Sequence, residues 1–129
     1  MTVPDSTRQS LIIAAAAAAD KLAENISAVD VAERIGITDA FMFASAESDR
    51  QVKSVVEAIE DALRDHEDLK PIRREGVDAG RWVLLDFGHF VVHVQHEEER
   101  ALYALDRLWN DSPRIELNLP ESGTEGNTA

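Results

Sequence analysis

The stretch RWVLLDFGHFVVHV, Arg81 to Val94, constrains the fold more than any other part of the chain. Apolar side chains alternate on both sides of a central Gly88, which is the pattern of a β-hairpin. A two-residue loop at Phe87-Gly88 pairs Asp86 with His89, Leu85 with Phe90, Leu84 with Val91, Val83 with Val92 and Trp82 with His93. Successive side chains in a strand point to opposite faces. Val83, Leu85, Phe90, Val92 and Val94 then share one wholly apolar face, which must be core. Trp82, Leu84, Asp86, His89, Val91 and His93 share the other. That second face mixes aromatic, acidic and imidazole groups, and its use needs explaining.

The flanking sequence supplies the rest of the domain. Ser6 to Gln9 has capping-box spacing and predicts a helix from about Thr7 to about Asn25. Within it, LIIAAAAAA (Leu11–Ala19) is too short for a bilayer span, which needs ~20 apolar residues. It is also a poor export signal, because Asp5 sits in the would-be basic region. Ala has the highest helix propensity, so a helix is expected there. Ile26–Ala32 and Asp39–Ser45 read as strands separated by Gly36. A second capping box, Ser48 to Gln51, opens a helix whose Val52, Val55, Val56, Ile59 and Leu63 form one apolar stripe. Pro71 ends it and a short strand follows near Ile72. After the hairpin, a last helix is expected from about Glu97 to Trp109. Its glutamates suit the positive end of the helix dipole, and Ala101, Leu102, Leu105, Leu108 and Trp109 are placed inward. The order α-β-β-α-β-β-β-α predicts an α/β (α+β) fold, a mixed sheet packed by helices. The domain is expected over residues 1–112, with 113–129 a disordered tail.

Charge and cysteine count narrow the function. The net charge of −12 works against a primary grip on nucleic acid, which relies on Lys and Arg to displace counterions. Arg73, Arg74 and Arg81 form only a loose basic group. Acidity suits a basic protein partner instead, because the field speeds encounter. The chain has no cysteine, which removes disulfides, thiolate metal sites and cysteine catalysis and fits a cytoplasmic location.

The mixed hairpin face admits three uses. A metal site fails on geometry: His89 and His93, four residues apart on a strand, are separated by ~13 Å, and His96 has the opposite parity. Asp86 with His89 supplies two ligands where a stable site needs three or four. Catalysis needs a nucleophile, and neither Ser45 nor Ser48 lies in a Gly-x-Ser-x-Gly elbow. No Gly-rich phosphate loop is present. An Asp86–His89 pair therefore reads as hairpin closure. The third use is a protein interface, for which Trp82, Arg100, Tyr103 and Trp109 are the residue types that dominate binding energy.

Taken together, Trp82-Val-Leu-Leu-Asp86-Phe-Gly88, Val91-Val-His93-Val, Arg100, Tyr103, Leu105 and Leu108-Trp109 resemble the Iojap-like ribosomal silencing factor family. Thr38-Asp39, Ser45-Ala-Glu-Ser48, Arg50-Gln51-Val52 and Glu75-Gly76 extend the resemblance over roughly residues 7 to 110. Two positions depart from the family pattern: Ala46 stands where Gly is usual, and His89 where Asp or Asn is usual. The resemblance implies a five-stranded mixed sheet of nucleotidyltransferase-like topology without enzymatic activity or cofactor. It implies a translational repressor whose partner is a large-subunit ribosomal protein at the intersubunit face, the fourteenth in the standard series. Binding there would block association of the ribosomal subunits. Some members form homodimers. Trp82 and Tyr103 are the expected anchors, with Leu84, Asp86, His93 and Arg100 around them. The alternative is a nucleotidyltransferase-type enzyme acting on a nucleotide or an RNA end. This sequence lacks the Gly-Ser loop and paired aspartates such enzymes use.

Overall fold

A computed structural model describes residues 3–119, which build a five-stranded mixed sheet with helices packed on its faces. The first helix, α1 (Asp5–Asp20), starts at Pro4 with no side-chain cap, so the expected Ser6 box does not form. It also stops short of Asn25, because Leu22 and Asn25 take positive φ angles of 66° and 53°. Leu11, Ala14, Ala15 and Ala18 are fully buried, and the small alanines let α1 lie close to its neighbour.

Strand β1 (Glu24–Asp30) begins two residues earlier than expected, and β2 (Ala40–Ala46) follows a one-turn helix, α2 (Ala32–Ile35). Helix α3 (Asp49–Glu67) has the predicted start: the Gln51 amide donates to Ser48 Oγ at 3.1 Å. The Gln51 side chain reaches back, its Oε1 accepting from the Glu47 amide at 2.9 Å. The whole predicted stripe from Val52 to Leu63 is buried against the sheet and α1. Full burial of one such side chain is worth roughly 1.5–3 kcal/mol, so this stripe is a principal source of stability.

Strands β3 (Arg73–Glu75), β4 (Trp82–Asp86) and β5 (Phe90–His96) complete the sheet, in the order β1-β2-β5-β4-β3. β2 and β5 run parallel at its centre, and the other pairs are antiparallel. The hairpin forms with a different register from the expected one. Trp82 pairs with Gln95, Leu84 with His93 and Asp86 with Val91. The Phe87 amide donates to the Phe90 carbonyl at 3.0 Å, so the two loop residues are Gly88 and His89. Gly88 takes the positive φ, 91°, that a type II′ loop needs at its first position. A slip of two residues leaves side-chain parity intact. Val83, Leu85, Phe90, Val92 and Val94 are accordingly all buried, as the alternation requires.

The last helix is broken in two. α4 (Glu97–Tyr103) ends at Ala104, whose φ is 48°, and α5 (Leu105–Leu108) is one further turn. The break overturns the inward placement of Ala101, Leu102 and Leu108, which are exposed. The side chain of Leu105 lies outside the described residues. The chain beyond Pro113 is also not the tail expected from its composition. The Asp30 amide donates to the Pro113 carbonyl at 2.8 Å, and the Ile115 amide to the Ala28 carbonyl at 3.0 Å. Ile115 and Leu117 enter the core, so residues 113–119 cover the free edge of β1. The remainder of the expected tail, residues 120–129, lies outside the described residues.

Candidate functional site

The two sheet faces differ in what covers them. Helices α1 and α3 close the first over the main core. On the second, a smaller cluster of Val29, Val31 and Phe43 is flanked by Ile35, Phe41 and Trp109, and α4 packs against β5 and β2. Between them Trp82, Leu84, Asp86 and Val91 are only partly buried.

A row of rings crosses this face. Tyr103 lies 5.0 Å from Trp82, Trp82 6.2 Å from His93, His93 5.2 Å from Phe41, and Phe41 5.3 Å from Trp109. Phe43 lies beside the row, stacked on His93 at 5.3 Å. Arg34 closes one end over the Trp109 ring, 4.7 Å from its centroid. Edge-to-face and offset contacts of this kind fix ring orientation as well as burying area. At the opposite end Tyr103 is 53 % exposed, and Leu102 and Leu108 nearby in the chain are exposed too.

His93 is the buried centre of the row. Trp82 Nε1 donates to its Nδ1 at 3.2 Å, so Nδ1 carries no proton and the neutral ring holds its proton on Nε2. Burial, with the Arg100 charge as a second cause, lowers its pKa to about 4. Arg100 is itself buried, with its guanidinium 5.7 Å from the centre of the Phe43 ring. The two residues thus brace the rings from beneath. Gln95 is fully buried on the same parity, and no described residue hydrogen-bonds its side-chain amide.

Of the six residues singled out from sequence, Trp82, Leu84, His93, Arg100 and Tyr103 come together around this row. Asp86 sits apart, at the hairpin end. Its Oδ1 accepts from the Gly88 amide at 2.8 Å and its Oδ2 lies 3.7 Å from Arg73, so it shapes the turn. His89 does not pair with Asp86 as expected. It is exposed and lies 3.7 Å from Asp39 instead, because the register slip puts it in the loop. The hydroxyls considered as nucleophiles are engaged structurally: Ser45 donates to the Glu24 carbonyl at 3.1 Å and Ser48 caps α3.

Sequence reasoning missed Phe41 and the outward leucines, Leu102 and Leu108. Phe41 shares the parity of Phe43, which was the available signal. The leucines depend on the break at Ala104, for which a run of helix formers gives no warning. Three carboxylates distant in sequence also converge: oxygens of Glu24, Glu47 and Glu97 lie within 4.8 Å of one another, all on exposed residues. Among the described residues no helix is long and apolar enough to cross a membrane.

The protein is an α+β domain with one sheet face closed by helices and one aromatic face half covered. Comparison with known proteins places it more narrowly. Residues 4–129 match the family model described as ribosomal silencing factor during starvation, and the chain belongs to that family. It is 42 % identical over 108 residues to the ribosomal silencing factor RsfS of Bacillus subtilis, covering 84 % of this chain and 91 % of that one. The corresponding protein of Halalkalibacterium halodurans is 36 % identical over 112 residues, covering 87 % and 95 %. A crystal structure of a Chromobacterium violaceum protein superposes with a TM-score of 0.76 at 26 % identity, covering 85 % of this chain and 88 % of that one.

Proposed function

We propose that this protein represses translation by binding the large ribosomal subunit and blocking its association with the small subunit. The contact is a large-subunit ribosomal protein at the intersubunit face, the fourteenth in the series, and the setting is the cytoplasm. The observation that carries this reading is the ring row ending in a half-exposed Tyr103, on a sheet face that the protein's own helices leave partly open. Such a face supplies rigid aromatic anchors whose loss typically costs 2 kcal/mol or more of binding energy. The names of the Bacillus subtilis and Halalkalibacterium halodurans relatives, both silencing factors, agree with a role that needs occupancy and no chemistry.

Within this reading the six residues divide by exposure. Tyr103, Trp82 and Leu84 touch the partner, while buried His93 and Arg100 hold the rings in place. Asp86 keeps the hairpin turn that presents β4. The net charge of −12 complements a basic ribosomal protein and discourages indiscriminate contact with RNA.

The test is co-sedimentation with purified large subunits. Tyr103→Glu, at an exposed helix end, should leave the circular dichroism spectrum unchanged and weaken binding at least ~30-fold, the equivalent of a 2 kcal/mol anchor. Undiminished binding by this variant would remove the face from the account.

A further inference from the structure

Arg100, Arg107 and Arg114 line one open cleft of about 620 Å³, with Asn25, Ser27 and Ser45 on its walls. The cleft lies where α4 and α5 face the start of β1 and the returning chain at Arg114. Arg107 and Arg114 differ from four of the other arginines in the molecule. Arg64 is neutralised by Asp61 and Asp65, Arg73 by Glu75 and Asp86, Arg74 by Glu60, and Arg81 by Asp49, Glu98 and Glu99. Among the described residues, no carboxylate lies within ion-pair distance, 4.0 Å, of Arg107 or Arg114. In a chain with a net charge of −12, Arg107 and Arg114 thus stand without an ion-pair partner among the described residues, in a concave place.

We propose that this cleft is a noncatalytic site for a small phosphorylated ligand of mononucleotide size. Guanidinium groups match phosphate oxygens in a two-pronged geometry and shed water easily, which suits them to this task. The cleft volume falls within the ~300–1,000 Å³ range of small-molecule sites. Asn25 and Ser27 offer hydrogen-bonding side chains beside the cations. Ser45 already donates to the Glu24 carbonyl, so it contributes as an acceptor. Glu97 also lines the cleft, and its carboxylate converges with those of Glu24 and Glu47. That acidic end repels phosphate, which sets the phosphates at Arg107 and Arg114.

The net charge selects the size of the ligand. A long polyanion such as RNA would lie against the acidic surface for most of its length. A compact anion inside the cleft meets the arginines at contact, within the ~8 Å over which salt leaves charges unscreened. The proposal does not rest on the ribosome reading, and its test uses the free protein.

Thermal shift and calorimetry on the full chain, at low salt with EDTA, would use ATP, pyrophosphate, adenosine and a single-stranded RNA 12-mer as probes. ATP and pyrophosphate should raise Tm by several degrees and adenosine should not. The double variant Arg107→Gln/Arg114→Gln should weaken ATP binding at least tenfold. Arg73→Gln/Arg74→Gln, an equal change of charge at paired arginines, should leave it unaltered. The proposal fails if neither ATP nor pyrophosphate binds, if both double variants lose binding equally, or if the RNA binds more tightly than ATP.

Discussion

His93 shows how one residue's chemistry sets the state of the aromatic sheet face. Its Nδ1 accepts the Trp82 indole N–H, and a proton there would turn the contact into two donors facing each other. The folded ring therefore resists protonation, with its pKa lowered to about 4 by burial and by Arg100. The unfolded chain binds this proton near pH 6.5, so it holds more protons than the folded chain between those two values. Stability is full above about pH 6.5 and falls as pH drops towards 4, by about 3 kcal/mol in all. Urea denaturation from pH 7 to pH 4 should show this slope on top of the carboxylate background. His93→Gln should flatten the curve by that amount, and equal slopes for both proteins would contradict the assignment. Gly76 is a second residue with a sharp expectation. Its φ is 77°, and a Cβ there would lie 2.0 Å from the Trp82 carbonyl oxygen. Gly76→Ala should cost more than ~2 kcal/mol in chemical denaturation, because backbone must move at the start of β4.

At the scale of elements, α3 is where local signal and tertiary demand agree. Ser48→Ala should cost ~1 kcal/mol by removing the cap accepted from Gln51. Ile59→Ala should cost ~2–5 kcal/mol by opening a cavity between α3 and the sheet. Both are read from urea midpoints. That helix was legible because its stripe and its cap are encoded within one stretch of chain. The hairpin was legible in a subtler way. Its register was misread by two residues, since Phe87-Gly88 and Gly88-His89 both make plausible loops. The two faces survived the error because parity repeats every two residues. The break at Ala104 was not legible. A left-handed alanine is unfavourable on local grounds, so tertiary packing must impose it. Of the ring row, Trp82 and Tyr103 stand out by residue chemistry, whereas the burial of His93 and Arg100 depends on how α4 folds over β5. Pairings between distant segments, such as Arg114 with Val29, leave no periodic trace at all.

For the whole molecule, the returning segment and the open face make opposite demands. Residues 113–119 cover the edge of β1 and place Ile115 and Leu117 in the core, so removing everything after Ser112 should lower Tm and promote association through that edge. Light scattering and thermal unfolding of the truncated chain would show both, and an unchanged monomer of unchanged Tm would contradict the packing described. The aromatic sheet face keeps Tyr103 exposed and Trp82, Phe41 and Trp109 only partly buried. That exposure is what a docking function requires. The most direct test is subunit reassociation. Dissociated ribosomal subunits are mixed with the protein, magnesium is restored, and the particles are separated by sedimentation. Whole ribosomes should fail to reform in proportion to added protein, and Tyr103→Glu should restore them. Full recovery of whole ribosomes at saturating wild-type protein would contradict the proposed block of subunit association.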